Sequence, residues 1–190
     1  MTNLLDSYLL FRIKARRDPE AFAQLYDRYV EQIYRFVFLK LPTAEEAQDV
    51  TSETFTRVWG YLQDQKEIKN FRALLYRIAR NLIADHYRKA QDDVSYDVVT
   101  LSDDSTSSYT QDISDSGQDA ELMAARAEIA LVTSKLERLK EGYRDVLMLR
   151  LIDQLPFSVI AEVLDKKAGN VRVIYHRALK ALQELDSSIL

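Results

Sequence analysis

Asn170, Arg172, His176, Arg177 and Lys180 share one side of a helical repeat, opposite Val171, Ile174, Tyr175, Ala178, Leu182 and Leu185. Lys166 and Lys167 stand at its entry. Guanidinium and ammonium groups at this spacing can neutralise phosphates and pair with guanine edges, the chemistry of a helix laid in a DNA major groove. The same pattern also suits the solvated outer face of a small bundle. A second basic run, Arg72, Arg77, Arg80, Arg88 and Lys89, is interleaved with Tyr76 and Tyr87. Cations that hold phosphates beside rings that stack on bases suit single-stranded nucleic acid. The competing reading has the tyrosines completing the packing and the arginines pairing with neighbours. A third group, Glu45, Glu46, Asp49 and Glu53, complements the dipole at the start of a helix. No nucleophile or base converges on these carboxylates, so they are not a catalytic pair. Phe55 and Trp59 lie beside this acidic ridge and would form a protein-docking patch, since aromatic side chains anchor interfaces.

Nothing else points to catalysis. There is no glycine-rich phosphate loop, no Ser/His/Asp set and no metal-ligand spacing. The chain has no cysteine, which removes disulfides, zinc fingers, iron–sulfur clusters and thiol nucleophiles, and its only imidazoles are His86 and His176. No cofactor and no metal are expected. The cysteine-free composition fits a reducing, cytoplasmic setting. No apolar run approaches the roughly 18 residues of a membrane span, and the N-terminus lacks a signal-peptide core.

The elements that must position these residues are all helical, and no window alternates with period two for long enough to be a strand. Asp18 and Pro19 open a helix over 19–41 with Phe22, Leu25, Tyr26, Tyr29, Ile33, Phe36 and Val37 on one face. Pro42 stops it, and Thr43 with Glu46 has the spacing of a capping box for a helix through about Leu62, with Ala47, Val50, Thr54, Val58 and Leu62 inward. Residues 63–69 are a polar loop. Asn70 caps a helix over 71–89 with Phe71, Leu74, Leu75, Ile78 and Leu82 inward. Residues 3–16 form a short extra helix. Further on, Leu122, Ala125, Ile129, Val132, Leu136 and Leu139 step by three and four, 143–152 is a dense apolar helix, and a short helix over 157–164 precedes a break and a last helix over 170–186. Short helix, tight break, longer helix is the helix-turn-helix plan.

The net charge of −4 hides a pattern. Residues 91–121 carry nine acids and no base, whereas 1–90 and 122–190 are mildly basic at +3 and +2. The acidic stretch reads as a flexible linker, and it could also screen a basic face when the protein is idle.

AQDVTSETFTRVWGYL followed by NFRALLYRIARNLIADHYRK resembles region 2 of the extracytoplasmic-function (group IV) sigma factors, in the bacterial sigma-70 family. RLKEGYRDVLMLRLIDQLPFSVIAEVL followed by GNVRVIYHRALKAL resembles their region 4. The two matches cover about 130 residues in the right order on either side of the linker. The resemblance implies an all-α sigma factor: 1–90 as region 2, 91–121 as linker and 122–190 as region 4. It implies that Asp49, Glu53, Phe55 and Trp59 dock on the clamp helices of the polymerase β′ subunit, with region 4 reaching the β flap. It places Asn70, Arg72, Arg77, Arg80, Asn81, Asp85 and Arg88 at the −10 promoter element. Lys167, Asn170, Arg172, His176, Arg177 and Lys180 then fall at the −35 element. An anti-sigma factor is a further possible partner. The chain departs from the family pattern at Ser52, usually Gln, at Val159, usually Glu, and at Asp165-Lys166, usually Gly-Ile. Two rivals stand beside this reading: a stand-alone helix-turn-helix regulator with a sensing or dimerising N-terminal half, and an inactive helical decoy that only binds protein.

Overall fold

The computed structural model of the chain describes residues 4–64, 66–94 and 131–187, and no strand occurs among them. The acidic stretch from 95 onward and the helical repeat expected over 122–130 lie outside the described residues. The chain divides into two compact units, Met1–Ser107 and Ser108–Leu190.

The first unit is built from α1 (Leu4–Arg16), α2 (Pro19–Phe38), α3 (Ala44–Gln63) and α4 (Phe71–Val94). Helix α4 outruns its expected end, so residues 91–94 are helix rather than the start of a linker. The expected caps are present. Asp18 Oδ1 accepts from the backbone N–H groups of Glu20 at 3.0 Å and Ala21 at 3.2 Å, while Oδ2 accepts from Arg12 Nε at 2.9 Å. These contacts hold the Asp18 carboxyl below the usual aspartate range, the Ala21 N–H contributing most. Thr43 and Glu46 form the reciprocal capping box, and Asn70 Oδ1 accepts from Ala73 N at 3.2 Å.

Helix α2 buries Leu25, Tyr29, Ile33, Phe36 and Val37, but Tyr26, expected in that stripe, is exposed. Helix α1 is pinned to α2 by a buried polar contact. Tyr29 Oη donates to Asp6 Oδ2, and Arg28 Nε lies 3.6 Å from Asp6 Oδ1. Burial first, and then the Asp6 carboxylate, push the Tyr29 phenol well above its ordinary value, so it stays a donor.

The second unit holds α5, helical over 131–137, then α6 (Glu141–Leu147), α7 (Phe157–Val163) and α8 (Ala168–Ser187). Arg144 crosses the α5–α6 junction and donates to the carbonyls of Leu136 at 3.0 Å and Glu137 at 2.9 Å, satisfying orphan groups at the end of α5. The helix expected over 143–152 changes character part-way: Met148–Ile152 form a π turn, with Asp153 N donating to Met148 O at 3.1 Å. Five successive side chains across the α6–π junction, Asp145 to Leu149, are buried, more than one stripe of a regular helix provides.

The turn between α7 and α8 is made without glycine. Asp165 takes a left-handed conformation with φ 51°, and Lys166 N donates to Ala161 O at 2.9 Å. Together with Leu164 at the C-cap, this is a Schellman closure with aspartate at the position that favours glycine. An L side chain is strained there, though aspartate less than most. Asp165→Gly is therefore expected to raise the stability of this unit by about 0.5–1 kcal/mol, and Asp165→Val to lower it by about 1–2 kcal/mol. Urea unfolding of the full chain, followed by helicity, checks the order of the three proteins.

Candidate nucleic-acid interface

Helix α8 is amphipathic around two buried points, Val171 and Ala178, each fully excluded from solvent. The arc opposite them carries Asn170, Arg172, His176, Arg177 and Lys180, all exposed, and Lys167 is exposed in the preceding turn. The structure thus gathers all six residues expected at the −35 element along one helix and its entry. Phe157 of α7 supports this face. Its ring lies 4.8 Å from the Arg150 guanidinium and 5.8 Å from that of Arg172, and meets Tyr175 edge-on at 5.4 Å. These cation–π contacts draw Arg172 toward α7 and restrict its rotamers. Lys180 is 3.9 Å from Glu184, a loose exposed pair that leaves the ammonium available.

Helix α4 separates the seven residues expected at the −10 element. Arg77, Asn81 and Arg88 recur at four and seven and are exposed on one strip. Asp85, half-buried, pairs with Arg88, and Arg80 flanks the strip on its other side. Arg72 points elsewhere: its Nη2 donates to Gln32 Oε1 on α2 at 2.9 Å. Asn70 is half-buried and uses its side-chain oxygen as the helix cap. Of the two readings of the tyrosines, packing holds for Tyr76. Tyr76 is fully buried and meets Phe36 edge-on at 5.2 Å, so it is core. Tyr87 keeps 48% of its surface exposed, with its hydroxyl donating to Lys40 O.

Helix α3 presents Asp49, Ser52, Glu53, Thr56 and Gly60 outward, with Glu53 paired to Arg57 at 2.8 Å. Here the expected docking patch needs a correction. Phe55 is only 3% exposed and packs against Tyr26 at 4.7 Å. Trp59 is half-buried, 4.8 Å from Phe22. The reason is the width of the buried arc. Because α3 packs on both α2 and α4, it buries Thr51, Thr54 and Phe55 as well as Ala47, Val58 and Leu62. The hydroxyls of Thr51 and Thr54 turn back to the carbonyls of Ala47 and Val50, each at 2.7 Å, so two polar residues sit in the core fully bonded. The expected stripe holds Thr54 but not Thr51 or Phe55, because one stripe describes a helix with one neighbour and α3 has two.

Among the described residues, no cluster of His, Cys, Asp or Glu could hold a metal ion, and no helix is long and apolar enough to cross a membrane. A family model for sigma-70 region 2 matches residues 25–92, and one for sigma-70 region 4 matches residues 129–182. The chain belongs to the sigma-70 family. Its similarity to the ECF RNA polymerase sigma factor SigW of Bacillus subtilis runs over 167 residues at 29% identity, 88% of this chain and 89% of that one. The RNA polymerase sigma-H factor of Pseudomonas aeruginosa is 29% identical over 196 residues, spanning all of this chain and 98% of the relative. The fold is similar to that of CnrH solved in complex with the cytosolic domain of CnrY, with TM-score 0.72 and 25% identity over 97% of this chain and 98% of that one. The sigma factor RpoE of Bartonella quintana, solved with the anti-sigma factor NepR, shares the fold at TM-score 0.63 and 21% identity, over 87% of this chain and 96% of that one. As a sigma factor of the extracytoplasmic-function type, the protein directs RNA polymerase to promoters.

Two features of the site were not legible in its motifs. Phe157, the support of Arg172, looks like an ordinary apolar residue at the start of a short helix. Val173, exposed on the outward arc of α8, carries no signal in a search for cations.

Proposed function

We propose that the two units divide the work of promoter use, and that the protein acts by binding alone, without catalysis, in the cytoplasm. The second unit lays α8 against the −35 duplex, with Lys167, Asn170, Arg172, His176, Arg177 and Lys180 at phosphates and base edges. The first unit uses the Arg77–Asn81–Arg88 strip, flanked by Arg80 and Asp85, on the −10 element as it opens. Unstacking a base costs on the order of a few kcal/mol, and capture of the displaced strand repays it. The outward ridge of α3, Asp49 and Glu53, docks on core polymerase at the β′ clamp helices. An anti-sigma partner is proposed on the same footing, because two proteins of similar fold, one of them a sigma factor with its anti-sigma factor, were solved with protein partners.

The observation that supports this reading most is the arc of α8, where six polar and basic residues converge beside a helix-turn-helix closure. The test is run-off transcription with core polymerase on a library of genomic promoters. Core plus this protein is expected to start at discrete sites that core alone ignores. A stand-alone regulator would bind promoter DNA without core and add no starts. A decoy would bind core and initiate nowhere.

A further inference from the structure

The outward arc of α8 has an apolar centre. At 3.6 residues per turn, Val173 stands roughly 160° from Val171 and roughly 140° from Ala178, the two residues that mark the buried side. Half of its surface is exposed, at 50%. Asn170, His176 and Arg177 are its neighbours at three and four, and Arg172 beside it is drawn toward the Phe157 ring of α7. Val173 is the sixth residue of α8, within the N-terminal part of a recognition helix that reaches base edges.

In the major groove every base edge offers hydrogen-bonding atoms, but only thymine adds a methyl group. An isopropyl group pressed onto a cytosine amino group or a guanine carbonyl would expel water and leave that polar atom unpaired. Pressed onto a thymine C5-methyl, it buries apolar surface on both sides. Resting on the proposal that α8 enters the −35 duplex, we infer that Val173 is a specificity-determining residue that reads a thymine methyl in that element. The surrounding cations and amide set register and pair with polar edges. Val173 adds a preference at one A·T pair that they cannot supply.

The test uses the holoenzyme, core polymerase with the full chain, on the −35 sequence it selects from a randomised duplex. Each thymine of that element is replaced in turn by deoxyuridine, which removes the C5-methyl and nothing else. At one position the wild-type holoenzyme is expected to lose affinity roughly fourfold, the effect of one buried methyl. Val173→Ser, a change on an exposed face that leaves helicity intact, is expected to bind the thymine and deoxyuridine duplexes equally there. Arg177→Ala is expected to weaken binding to both duplexes while keeping their ratio. A selected element with no A·T pair overturns the inference, as does wild-type indifference to every deoxyuridine, or a methyl preference that survives in Val173→Ser. If Arg177→Ala still weakens −35 binding in such a case, only the role of Val173 is lost. If Arg177→Ala binds like wild type, the placement of α8 in the duplex is lost as well.

Discussion

Phe55→Ala is expected to destabilise the N-terminal unit by about 3–5 kcal/mol, the range for deleting a buried aromatic ring. That is a large share of the roughly 5–15 kcal/mol that holds a typical domain together. The ring is 3% exposed and closes the space between α3 and Tyr26 of α2, so its removal leaves a cavity that two packed helices cannot fill. Asp49→Ala is expected to leave the melting temperature unchanged, because Asp49 is exposed on the outward face of α3. It should instead weaken binding to core polymerase. The single tryptophan, Trp59, is half-buried against Phe22 and reports on this unit alone. Its fluorescence during thermal unfolding, read beside a core-polymerase binding titration, separates the two effects. A Phe55→Ala protein that melts like wild type but fails to bind core would restore the ring to the interface.

The contrast between Phe55 and Asp49 shows what periodicity can and cannot reveal. Asp18, Pro19, Thr43, Glu46 and Asn70 signal helix starts because capping depends on chemistry within three or four residues: Asp18, Thr43 with Glu46, and Asn70 cap as expected, and Pro19 takes the first helical position. The helices themselves were legible, since their apolar stripes repeat over several turns. The width of a buried arc is set by how many neighbours a helix has, which is a tertiary fact. Hence Phe55 and Tyr76 read as surface aromatics beside charged residues, yet both are core. Asp6 is opaque for the same reason: an acid in an apolar helix, satisfied by a tyrosine 23 residues away. The π turn over Met148–Ile152 has no local signal either. On α8 the cations were legible because their spacing and the buried stripe share one helix. Arg72 stands apart from the exposed strip because its partner, Gln32, comes from a different helix, 40 residues away.

Arg177→Ala and Arg77→Ala are expected to fail at different steps. Both arginines are exposed on helix faces opposite a buried stripe, so neither substitution should alter folding by more than about 0.5 kcal/mol. Loss of Arg177 removes a guanidinium from the arc that meets the duplex. If it pairs with a guanine, about 1–3 kcal/mol of discrimination disappears at one base pair, a change of roughly fivefold to 150-fold. If it holds a phosphate, binding weakens evenly across sequences and the salt slope falls by about one. In either case the defect shows in closed-complex formation on a duplex that cannot melt. Loss of Arg77 acts on the exposed strip of α4, away from the −35 duplex in function. It should leave closed-complex affinity intact and lower the fraction of promoters that open, and a promoter carrying a pre-melted −10 segment should recover part of the loss, because the cost of unstacking is already met. Band-shift titrations on closed duplexes and permanganate footprints of unpaired thymines measure the two steps separately. Equal losses at both steps for both variants would show that α4 and α8 do not divide the work as proposed. A loss confined to opening for Arg77→Ala and to duplex binding for Arg177→Ala would tie each helix to its own promoter element.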